Sequence, residues 1–62
     1  MELTKSEQEI IEHIKQGLTF RQIADKMGLS TTEVSKEVNG LYAKFNAYHR
    51  ISFLEKFYQF YS

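Results

Sequence analysis

Few residues in this chain can do chemistry, and their spacing decides which kind. Two histidines (His13 and His49), a single aspartate (Asp25) and no cysteine make up the sparse supply of general bases, nucleophiles and soft metal ligands. The histidines lie far apart, and neither forms an i, i+4 pair with another histidine or belongs to a carboxylate pattern for a metal. No glycine-rich phosphate loop is present, and no Ser/His/Asp set stands out from chance. The expectation is a protein that is not an enzyme and holds neither cofactor nor metal. His13 is expected in solvent on the polar side of a helix, and His49 is expected to cap or flank one.

Recognition chemistry is better supplied. Lys36 can donate to guanine O6 and N7, and Asn39 can pair with adenine N6 and N7, each discriminating by on the order of 1–3 kcal/mol. Thr32 and Ser35 add hydroxyls in the same stretch. Such side chains act together only when a rigid element presents them on one face.

Local signals provide helices for that purpose. Thr4-Lys5-Ser6-Glu7 fits a capping box, in which the hydroxyl accepts the amide three residues on and the glutamate reaches back. Ile10, Ile11 and Ile14 then share one face, and Gly17 ends the helix as a left-handed C-terminal residue. Thr19-Phe20-Arg21-Gln22 is a second box, followed by Ile23, Ala24 and Met27 and stopped by Gly28. Ser30-Thr31-Thr32-Glu33 is a third. Val34, Val38, Leu41 and Phe45 follow as an apolar stripe, broken at Asn46. A last helix is predicted from Ala47 to Tyr61. Strand signals are missing. The predicted fold class is all-α, with four helices in a single domain covering residues 1–62.

With that stripe turned inward, a helical wheel points Thr32, Lys36, Asn39 and Ala43 away from the core, with Ser35 on the flank. Glu33 reads as a cap, and Glu37 as a partner for Lys44 or Arg21. The second and third helices, joined by Gly28-Leu29-Ser30, match a helix-turn-helix unit over about residues 20–45. Ala24 is small where the helices approach, Gly28 tolerates positive φ, and Leu29, Val34 and Val38 can pin the second helix of the pair.

The residues in this register resemble a known family. Leu3-Thr4, Glu7, Glu9-Ile10-Ile11, Gly17-Leu18-Thr19, Arg21-Gln22-Ile23-Ala24 and Leu29-Ser30 are similar to the LuxR/GerE-type DNA-binding domain. Val34, Val38, Lys44-Phe45 and His49-Arg50-Ile51 continue the match. Region 4 of bacterial sigma factors shares the Gly-Leu-Thr…Ile-Ala…Gly-Leu-Ser pattern, but His49-Arg50 before the last helix favours the LuxR/GerE side. The resemblance implies a bacterial or phage-like transcription regulator whose third helix enters the major groove and whose fourth pairs two copies. It places Arg21 where the family holds a backbone phosphate, with Lys44 and Arg50 as further contacts. Ser35, Glu37 and Gly40 stand where the family commonly has lysine, histidine and a basic residue.

Composition qualifies this picture. Eight Lys+Arg balance eight Asp+Glu in 62 residues, giving zero net charge. DNA-binding domains of this size are usually basic, because affinity comes largely from phosphate neutralisation. A chain this short buries only about 60% of the surface it exposes when unfolded, and without disulfide or metal it needs efficient packing or a partner. No apolar run suits a membrane, and no secretory signal begins the chain, so the expected location is cytoplasmic.

The tail supplies the expected partner. Of nine aromatic residues, eight follow Leu41 and five lie within the last ten. Taking Ile51, Leu54, Tyr58 and Tyr61 as the inward face leaves Phe53, Phe57 and Phe60 on another. A helix apolar on two sides cannot bury both against one small core. The predicted dimer interface is Phe53, Phe57, Phe60 and Tyr61, on a dimerisation helix of about residues 47–61. Two functions fit. One is a stand-alone homodimeric regulator gripping double-stranded DNA through Arg21, Thr32, Ser35, Lys36, Asn39 and Lys44. The alternative keeps the fold but binds another transcription regulator or RNA polymerase, as an anti-activator would.

Overall fold

The computed structural model describes residues 2–61, which form α1 (Lys5–Lys15), α2 (Phe20–Met27), α3 (Thr31–Lys44) and α4 (Arg50–Tyr61), with no strand among them. All three expected capping boxes close. Thr4 Oγ1 accepts the Glu7 N–H at 3.0 Å while Glu7 Oε1 accepts the Thr4 N–H at 2.9 Å. Thr19 and Gln22 repeat the exchange at 3.1 and 2.9 Å, and Ser30 and Glu33 at 3.1 and 3.0 Å. Each box satisfies two backbone donors that a bare helix start would leave orphaned.

The helix ends also share one device. After α1, the Leu18 N–H donates back to the His13 carbonyl at 3.2 Å. After α2, Leu29 donates to Ala24 at 2.9 Å, and after α3, Ala47 donates to Tyr42 at 2.8 Å. This six-to-one closure needs a left-handed residue just before the donor, and Gly17, Gly28 and Asn46 take φ of 81°, 68° and 54°. The third closure corrects the expected start of the last helix. Ala47 is spent on ending α3 and is buried in the core, so α4 begins at Arg50. His49 caps it, as expected: its Nδ1 accepts the Ser52 N–H at 3.2 Å and its carbonyl the Phe53 N–H at 2.9 Å.

One core joins the elements. Ile10, Ile11 and Ile14 of α1 meet Ile23 and Ala24 of α2, Val34, Val38 and Leu41 of α3, then Phe45, Ala47 and Phe53. The Phe53 ring meets Phe45 edge-on at 5.1 Å, Tyr42 at 5.3 Å and Phe57 in a stack at 6.1 Å. Phe53 is 0% exposed and Phe57 half-buried, whereas Ile51 and Tyr58 are 69% and 48% exposed. The expected faces of α4 are therefore reversed at its centre, and Phe53 leaves the pairing surface for the core. Apolar residues cover about half the circumference of α4, so periodicity does not choose between the two halves. The rings of Tyr42 and Phe45 do, because aromatic pairs gain beyond the area they bury. None of the described helices is long and apolar enough to cross a membrane.

His13 also departs from expectation. It is half-buried, and its Nδ1 has no hydrogen-bond partner among the described residues. The closure after α1 brings the Leu18 N–H back onto the His13 carbonyl.

Candidate nucleic-acid interface

The α2–turn–α3 unit has the geometry its sequence demands. Ala24 is buried where the two helices approach, and Gly28 makes the left-handed turn. Leu29 packs against the core from the turn, while Val34, Val38 and Leu41 fix the inner face of α3. That anchoring determines what faces out. Thr32, Lys36, Asn39 and Ala43 are exposed, Ser35 is half-buried at the edge, and Arg21 is exposed in the first turn of α2. Lys36 and Asn39 lie three residues apart, so they are neighbours on one helix surface. The outward face of α3 thus carries a cation and an amide side by side, with the Arg21 guanidinium open at the start of α2.

The acidic residues of α3 are occupied elsewhere. Glu33 is committed to the Ser30 cap, whose backbone N–H and hydroxyl hold its carboxyl below the usual carboxylate range. Glu37 accepts a 3.4 Å hydrogen bond from the Ser6 hydroxyl of α1. It does not pair with Lys44 or Arg21, as expected from sequence. Lys44 is instead held by Glu7, its Nζ 2.5 Å from Glu7 Oε2. Of the six expected DNA-contacting residues, Arg21, Thr32, Lys36 and Asn39 present open side chains, Ser35 flanks them, and Lys44 is engaged by α1. Arg50 is half-buried at the start of α4.

Along α4, Phe57 faces inward, while Phe60 is 63% exposed even though its ring touches Phe45 at 5.9 Å. Tyr61 is partly exposed and lies 4.9 Å from the Phe57 ring. Ile51 and Tyr58, two turns apart on α4, share an exposed face that the sequence reading turned inward, and Tyr48 just before the helix is exposed as well. The sequence signal for that face was the width of the apolar arc.

The same chain stretch matches, over residues 1–55, the family described as bacterial regulatory proteins, luxR family. The chain belongs to the LuxR family. Over 55 residues it is also 36% identical to the "Probable transcriptional regulator ycf29" of Guillardia theta. That match takes in 89% of this chain but 26% of the relative, so the chain spans about a quarter of that protein's length. No solved structure is a significant match. In this LuxR-family chain the matched segment takes in all of α1, α2 and α3 and the first half of α4.

Proposed function

We propose that this LuxR-family chain is a DNA-binding module of a transcription regulator. In this reading α3 lies in the major groove, Lys36 and Asn39 read bases, Thr32 and Ser35 add hydroxyl contacts, and Arg21 grips a phosphate. The observation that carries the reading is the outward face of α3. It is exposed over Thr32, Lys36 and Asn39, while Glu33 is held in the Ser30 cap with the charge of Lys36 acting on it and Glu37 is bonded by Ser6. The named relative, a probable transcriptional regulator, supports it.

Pairing belongs to the same proposal. Ile51 and Tyr58, two turns apart on α4, form an exposed apolar strip that a second copy can cover across a two-fold axis, and such a pair presents two α3 helices to successive major grooves about 34–36 Å apart.

Fluorescence anisotropy with labelled duplex DNA at several salt concentrations tests the reading. Binding is expected to weaken linearly in log[salt], and Arg21→Ala should weaken it for every sequence and flatten the slope by about 1. Lys36→Ala should relax base preference at one position of the site. A parent chain that fails to bind duplex at low salt yet forms a stable complex with another regulator would shift the assignment to protein–protein interaction, the reading that zero net charge favours.

A further inference from the structure

The Glu7 carboxylate does two jobs on opposite oxygens. Oε1 accepts the Thr4 N–H that closes the α1 cap, and Oε2 receives the Lys44 ammonium from the far end of α3. The cap alone does not require the charge. In the same chain Gln22 closes the α2 box with the same exchange of hydrogen bonds at matching distances. What the charge of Glu7 adds is therefore the grip on Lys44, reinforced one residue earlier by the Ser6 bond to Glu37.

Lys44 stands on a significant line. Lys36, Gly40 and Lys44 follow one another at four-residue steps, the spacing of a single ridge along a helix. Lys36 is at the open face, Gly40 has no side chain, and Lys44 bends away to α1. The ridge that faces a groove thus has two cations by sequence and one by structure. The Lys44 side chain remains 42% exposed while Glu7 is 13% exposed, so the lysine end of the pair is accessible to a competing anion.

We propose that Glu7 sets the strength of DNA binding from outside the interface, by withholding Lys44 from the phosphate backbone. The inference rests on the DNA-binding reading above. Glu7 is an affinity-tuning residue in this scheme: it touches no DNA, and it acts by deciding whether Lys44 does. A chain with zero net charge keeps its non-specific affinity low in this way, leaving discrimination to Lys36 and Asn39.

The test is Glu7→Gln, which retains an amide oxygen for the Thr4 cap and releases Lys44. Binding of the full chain to a random-sequence duplex is measured by anisotropy from 50 to 200 mM salt, with circular dichroism verifying that the helices persist. One added phosphate contact steepens the salt slope by about 0.9, so the advantage of Glu7→Gln over the parent should shrink about 3.5-fold across that range. Glu9→Gln removes the same charge from an exposed position of α1 and should leave the slope unchanged. Lys44→Gln in the parent should also leave the slope unchanged, and combined with Glu7→Gln it should erase the gain.

If the parent binds and Glu7→Gln has the parental slope, the inference falls while the DNA-binding reading stands. If Lys44→Gln alone flattens the parental slope, Lys44 already contacts phosphate and the inference falls again. If only Glu7→Gln binds, the inference holds in its strongest form. If neither chain binds duplex, both readings fall.

Discussion

At the scale of single residues, Glu7 also governs how the fold meets acid. Its carboxyl is held below the usual carboxylate range, first by the hydrogen bond from the Lys44 ammonium and then by the Thr4 N–H. Glu33 is held down in the same direction by Ser30. A carboxyl whose folded pKa lies below its unfolded value stabilises the fold above the unfolded value. That contribution disappears as pH falls through the folded one. Thermal melts followed by circular dichroism should therefore be level near neutrality and drop between about pH 5 and pH 3. Glu7→Gln should melt lower than the parent at neutral pH and show a flatter fall in that window. An equally steep fall would mean the pair with Lys44 contributes nothing to stability. The cap formed by Glu7 was legible in the sequence because Thr4 is three positions away. Its second partner was not, because Lys44 is 37 positions away and no local rule relates the two.

Elements were legible where their signals are local. The starts of α1, α2 and α3 follow from Thr4, Thr19 and Ser30, and their stops from Gly17, Gly28 and Asn46, since a cap or a left-handed residue involves only its immediate neighbours. The start of α4 was misread because Ala47 is a good helix former, and only the closing bond to Tyr42 shows that it is used otherwise. Within α3, Gly40 is an interior glycine with ordinary helical geometry, and a Cβ built there meets nothing within 4 Å. Glycine in a helix interior costs about 0.5–1 kcal/mol relative to alanine. Gly40→Ala should therefore raise the melting temperature by about 2–8 °C in a domain of this size. A lowered melting temperature would show that the α3 backbone needs glycine for a reason other than space.

For the whole molecule the deciding question is which face of α4 is core. Phe53, fully buried between Tyr42, Phe45 and Phe57, should cost about 3–5 kcal/mol when cut to alanine, a loss large enough to unfold much of so small a domain. Ile51→Asp combined with Tyr58→Asp should leave urea unfolding of the monomer close to parental. Under the proposed pairing, the parent should sediment as a dimer and the double variant as a monomer. Phe53→Ala that leaves stability intact, with Ile51→Asp/Tyr58→Asp that unfolds the chain, would reverse the assignment of the two faces.

The order of four helices, their caps and the outward set Thr32, Lys36 and Asn39 followed from the amino-acid sequence alone. Each depends on neighbours within a few residues or on the angular period of one helix, which chain geometry fixes. The burial of Phe53 and the capture of Lys44 were decided only by the tertiary structure. Half of α4 is apolar, and Glu7 and Lys44 lie on different helices. Which apolar half turns inward, and which carboxylate a lysine finds, depends on the packing of the remaining elements.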